Sequence, residues 1–104
     1  MEPTNRIELD ATLTEKSVLR HTPAGVAVQE GMLSHQSMQS EEGAMRQVNF
    51  EIFTVAFGQE ALALSRMPIG SPLRCKGFLC RRWRSGITLA LHLSQVKRLT
   101  TLDE

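Results

Sequence analysis

Between Arg6 and Thr14 the chain alternates without a break: Ile7, Leu9, Ala11 and Leu13 are apolar, and Glu8, Asp10 and Thr12 separate them. A period of two buries one face of an extended segment and solvates the other, so this stretch predicts a half-buried β-strand and excludes an amphipathic helix. Further strand signals follow. Thr22-Pro23-Ala24-Gly25 reads as a turn. Residues 26–36 read as a second strand, in which Val26, Val28 and Met32 compete with Ala27 and Leu33 for the inner face. The polar residues 37–46, with one glycine, predict a long hairpin loop. Residues 47–57 form a third strand, apolar enough near its end to be buried on both faces, and Gly58 closes it.

Gln59–Arg66 consists of strong helix formers but spans one or two turns only, and Pro68 and Gly70 follow it. In the fourth strand Leu73, Cys75, Gly77 and Leu79 alternate with Arg74, Lys76 and Phe78. After the basic turn Arg81–Gly86, Ile87, Leu89, Leu91 and Leu93 alternate with Thr88, Ala90 and His92 in a fifth. The order is β-β-β-α-β-β. This predicts an all-β fold, a five-stranded OB-fold Greek-key barrel with one short helix between strands 3 and 4. The 104 residues suit one such domain, spanning 1–104. The usual ligand face of the fold lies on strands two and three and on the loops joining strands one to two and four to five.

Charge is distributed unevenly. Residues 1–60 carry four Lys/Arg against nine Asp/Glu, whereas residues 61–102 carry eight Lys/Arg and no acid, and Asp103 and Glu104 end the chain. That asymmetry predicts a cationic face for a polyanion. Its centre is Arg81-Arg82-Trp83-Arg84, where three guanidinium groups can track a phosphate backbone. Trp83 either offers a base a flat surface or folds back onto the barrel. Lys16 and Arg20 extend the cationic groove or are ordinary loop charges. His35, Gln36, Arg46 and Gln47 flank the long loop and either bond phosphates and base edges or stay solvated. Aromatics are scarce, at 5%, so at most one good stacking platform is expected.

No nucleophile–base signature or phosphate-binding glycine loop is present, so no catalytic residue is expected and the protein reads as a non-enzyme. Cys75 and Cys80 lie five apart; on a strand this puts them on opposite faces, roughly 16 Å apart, too far for a disulfide. His21, His35 and His92 show no zinc-ligand spacing, so no metal is expected. The N-terminus lacks a basic run followed by an apolar one, and no stretch reaches the length of a membrane helix, so a cytoplasmic location is expected.

Several segments in order resemble the primosomal replication protein N family, relatives of bacterial single-stranded DNA-binding protein. They are Thr4-Asn5-Arg6 before the first strand, Thr22-Pro23-Ala24-Gly25-Val26, His35-Gln36-Ser37-Met38-Gln39-Ser40-Glu41-Glu42-Gly43, Gly77-Phe78-Leu79 and Leu91-His92. The resemblance runs from Thr4 to about Leu99. It implies an OB-fold homodimer whose strand-one edges meet across the axis, and sequence-independent binding of single-stranded DNA. It also implies a role in the primosome during replication restart, with the restart helicase PriA and DnaT as partners and no cofactor. Arg20, Arg81, Arg82 and Arg84 match basic loop positions of the family. Ala44 and Asn49 stand where some members have aromatics, and Gln36 where a basic residue follows the histidine. Those departures favour one alternative, an interaction adaptor with weak or vestigial DNA binding; a general single-stranded DNA-binding protein is a second. An RNA-binding OB domain is a further one, disfavoured by the few aromatics.

Overall fold

The alternating segment becomes β1 (Ile7–Lys16), the first strand of a closed barrel. The structure, a computed structural model, describes residues 1–99; the acidic pair Asp103–Glu104 and the end of the expected 1–104 domain lie outside the described residues. β2 (Arg20–His21) is a two-residue strand within the expected first loop, and β3 (Ala27–Glu41) and β4 (Ala44–Phe57) form a long hairpin. Helix α1 (Gln59–Ser65), β5 (Pro72–Arg81) and β6 (Leu89–Arg98) complete the order. The sheet runs β1-β5-β6-β4-β3-β2, and β1 also pairs with β3, which closes β1, β3, β4, β5 and β6 into a barrel. β4 and β6 run parallel and the other pairs antiparallel. This is the expected OB fold, with the short helix before the fourth of the five barrel strands.

Leu13, Leu33, Ala56, Leu73, Cys75, Leu91 and Leu93 meet inside, and α1 plugs one end of the barrel with Ala61 and Leu64. The inward set on β6 changes phase: Leu91 and Leu93 are followed by Val96, not by residue 95. A bulge explains the change. Gly77 opposes Leu93 while Lys76 opposes Gln95, so Ser94 is the extra residue, and its hydroxyl donates to the Lys76 carbonyl at 3.1 Å. Cys75 is buried and Cys80 exposed, and both are free thiols. Burial pushes the Cys75 thiol up to about 11, so it stays protonated at neutral pH.

Two expectations are corrected. Residues 37–46 are not a loop: β3 and β4 stay paired to Glu41↔Ala44, joined by the two-residue turn Glu42-Gly43. Both turn residues have positive φ, 51° and 78°, the backbone that a tight two-residue hairpin needs. The ribbon is polar on both faces because it extends past the core, so its composition imitates a loop. Near its end β4 is buried on both faces as expected, with Thr54 and Ala56 pointing inward and Val55 outward yet only 6% exposed, while on that outer face Phe53 is half-buried and Phe57 exposed. The fifth strand begins at Leu89, and Ile87 is exposed in the preceding loop. Among the described residues no helix is long and apolar enough to cross a membrane.

Candidate nucleic-acid interface

The loop after β5 carries the most basic run of the chain. Arg82 N–H donates to the Thr88 carbonyl at 2.8 Å, and Gly86 turns the chain at φ 96°. Arg81 and Arg84 are exposed, and among the described residues no carboxylate lies within ion-pair reach of Arg81, Arg82 or Arg84. Three cations without a counter-charge on one loop create a local positive field. Trp83 stands 58% exposed beside them and does not fold into the barrel.

The other expected cations are placed differently. The Lys16 ammonium donates to the carbonyls of Ser65, at 2.9 Å, and Met67, at 2.7 Å. It caps the C-terminal end of α1, where the helix dipole favours a positive charge. Arg20 pairs with Glu30 at 3.2 Å, and Arg46 pairs with Glu41 on the ribbon. The His35 ring is held at both nitrogens. The Asp10 carbonyl can only accept, so Nδ1 donates to it, at 2.6 Å; Nε2 then accepts from the Ser37 hydroxyl at 2.8 Å. The same ring stacks on Phe50 with centroids 4.9 Å apart. Gln36 and Gln47 are exposed on the ribbon strands. The structure thus brings together Arg81–Arg84 and separates them from the ribbon residues His35, Gln36, Arg46 and Gln47.

It adds aromatic surface that the sequence pattern did not resolve. On the outer face of β4, β6 and β5, Phe57 is 49% exposed and Phe78 44% exposed. The two rings flank His92, with centroid distances of 6.2 Å and 5.1 Å. Phe53 lies on the same face of β4, and the Arg82 guanidinium covers it at 3.9 Å from the ring centroid. The strand parity of Phe53 and Phe57 against Ile52 and Ala56 was the available signal, masked by the apolar run around it. The outer face therefore carries flat rings along β4–β6–β5 and guanidinium groups at one end. Rings accept bases by stacking and guanidinium groups accept phosphates, which is how single strands are held without sequence readout.

Asp10 and Arg74, paired across β1 and β5, form a bidentate bridge at 2.8 and 2.9 Å. The bridge holds the Asp10 carboxyl below its ordinary range. Among the described residues no group of three or more His, Cys, Asp or Glu is arranged to hold a metal.

The profile of a family described as "Another single-strand binding protein family" matches residues 5–95. Replication restart protein PriB of Bordetella pertussis is 38% identical over 95 residues, covering 91% of this chain and 89% of its own. That of Nitrosomonas europaea is 32% identical over 93 residues, covering 89% and 86%. A solved structure of PriB from Ralstonia solanacearum superposes with a TM-score of 0.84 at 38% identity, covering 92% of this chain and 98% of that one. The single-stranded DNA binding protein of Thermus aquaticus shares the fold, with a TM-score of 0.74 at 23% identity over 94% of this chain and 51% of that one. The chain belongs to the single-strand binding protein family, within its replication restart PriB branch.

Proposed function

We propose that this protein binds single-stranded DNA without sequence preference, as a primosome accessory in replication restart. The observation that carries the reading is the exposure of Phe57 and Phe78 on the outer barrel face, and of Trp83 on the adjoining loop with three arginines that have no ion-pair partner among the described residues. The PriB relatives support the setting. In this reading Arg81, Arg82 and Arg84 take phosphates, Trp83 and the β4–β6–β5 rings take bases, and Gln36 and Gln47 lie beside a strand that continues along the ribbon. Arg20, Arg46, Lys16 and His35 contribute little, because each already holds a partner. Fluorescence anisotropy with labelled oligo-dT at two salt concentrations tests the reading. Three phosphate contacts on a single strand predict a log–log salt slope of about −2. Absence of binding at low salt defeats it.

The protein acts as a homodimer in this proposal. Residues Ile7–Ala11 pair with β5 on one side, and β3 takes the other side only from Thr12. That leaves a short strand edge whose backbone groups suit a second β1. Sedimentation at micromolar protein is expected to give twice the 11.6 kDa chain mass; a monomer there removes the dimer from the proposal. PriA and DnaT are the proposed protein partners.

A second reading, an adaptor with weak DNA binding, is favoured by one observation: of the expected cations, Arg20 and Arg46 are neutralised by glutamates. Titration with the restart helicase in place of the oligonucleotide separates the two. Tight helicase binding with no oligo-dT binding selects the adaptor.

A further inference from the structure

Arg82 is placed unlike its neighbours. Its guanidinium lies 3.9 Å from the Phe53 ring centroid and 4.5 Å from that of Trp83, so one planar cation contacts both rings. Its Nε is buried without a hydrogen-bond partner, the one such side-chain nitrogen or oxygen among the described residues. A guanidinium nitrogen that has left water without a partner carries a desolvation cost, which the two rings offset only in part. Beside it opens a cleft of about 230 Å³, lined by Glu15, Glu30, Gly31, Met32, Phe53 and Arg82.

A guanidinium and a nucleobase are both flat, delocalised groups that stack on aromatic faces. We propose that Arg82 occupies a base-binding slot between Phe53 and Trp83 in the unliganded protein, and that an incoming base displaces it. The released guanidinium regains hydrogen-bond partners at a backbone phosphate, which satisfies the Nε left orphaned in the free state. The inference rests on the single-stranded DNA reading above and adds a specific site to it: Phe53 becomes a stacking platform, and Arg82 serves both as placeholder and as phosphate contact. Arg81 and Arg84, which lie over no ring among the described residues, are phosphate contacts only.

The two roles of Arg82 oppose each other and respond differently to salt. Screening weakens a phosphate contact, whereas occupancy of the slot costs affinity at any ionic strength. Oligo-dT anisotropy on wild type, Arg82→Ala, Arg84→Ala, Phe53→Ala and Phe53→Leu, at about 50 mM and about 500 mM salt, separates them. Loss of the Phe53 ring is expected to weaken binding roughly 5- to 100-fold at both salts. Phe53→Leu keeps apolar bulk on the sheet while removing the flat face, so its loss reports stacking and not misfolding. Arg82→Ala is expected to lose less than Arg84→Ala at low salt, and to bind roughly 2- to 10-fold tighter than wild type at high salt, where vacating the slot dominates. Arg82→Ala equal to or weaker than wild type at high salt overturns the inference, as does unchanged binding by Phe53→Leu. A wild type that binds no oligo-dT at either salt overturns the DNA-binding reading itself, and this inference with it.

Discussion

A Gly77→Ala variant is expected to melt roughly 12–24 °C below the parent chain, corresponding to a loss of about 3 kcal/mol. Gly77 sits at the β5–β6 bulge, with its Cα against the backbone of the partner strand. A Cβ there would collide with the His92 carbonyl oxygen, lie 2.9 Å from the His92 carbonyl carbon and 3.1 Å from Leu93 Cα. All three are backbone atoms, which cannot rotate away as a side chain does. Relief requires β5 and β6 to separate at the place where the bulge moves Val96 onto the core face. The variant thus loses the ladder and the register of the last strand together. Gly86→Ala is the control: Gly86 has φ 96° but open space around its Cα, so the cost there is backbone strain alone, about 1–2 kcal/mol. Thermal melts that place both variants at the same temperature would refute the steric account.

The second large effect concerns binding. The double reversal Arg81→Glu and Arg84→Glu is expected to weaken oligo-dT binding by at least ~100-fold at about 50 mM salt, and to lower the magnitude of the log–log salt slope by about 1.4. Each phosphate contact on a single strand contributes about 0.7 to that slope, and the added carboxylates repel the strand besides. Neither residue packs on the core and neither has an ion-pair partner among the described residues, so circular dichroism and melting temperature are expected to stay near wild type. A double variant that keeps the wild-type slope would move the phosphate track away from this loop.

The barrel was legible because its determinants are local. Strict alternation in Ile7–Leu13, the helix formers of Gln59–Ser65 and the turn at Pro23–Gly25 each leave a mark within a few residues. The ribbon was not, because strand pairing beyond the core needs no apolar face and Ser37–Gln47 has none to display. The site was legible in part for the same reason. Arg81–Arg84 is a contiguous run and declares itself. Whether a cation is free depends on what the fold brings to it: Lys16 meets the end of a helix some fifty residues away, and Arg20 meets Glu30 across a strand pair. Phe53 and Phe57 hid inside an apolar segment, where one residue of phase decides between core and surface.

The β3–β4 ribbon has a mechanical consequence. From Ser37 to Val48 almost every side chain is exposed, so backbone hydrogen bonds and the Glu42-Gly43 turn hold the arm together with little burial beneath them. Such an arm frays from its tip inward, one rung at a time, while the rungs from Val28 to Leu33 stay locked to the interior until the whole molecule unfolds. Amide exchange along the hairpin would therefore follow a gradient, fast at Glu41 and Ala44 and slow near Gly31. The chain carries a finger whose stiffness declines with distance from its root, and it can conform to a surface without disturbing the barrel that anchors it.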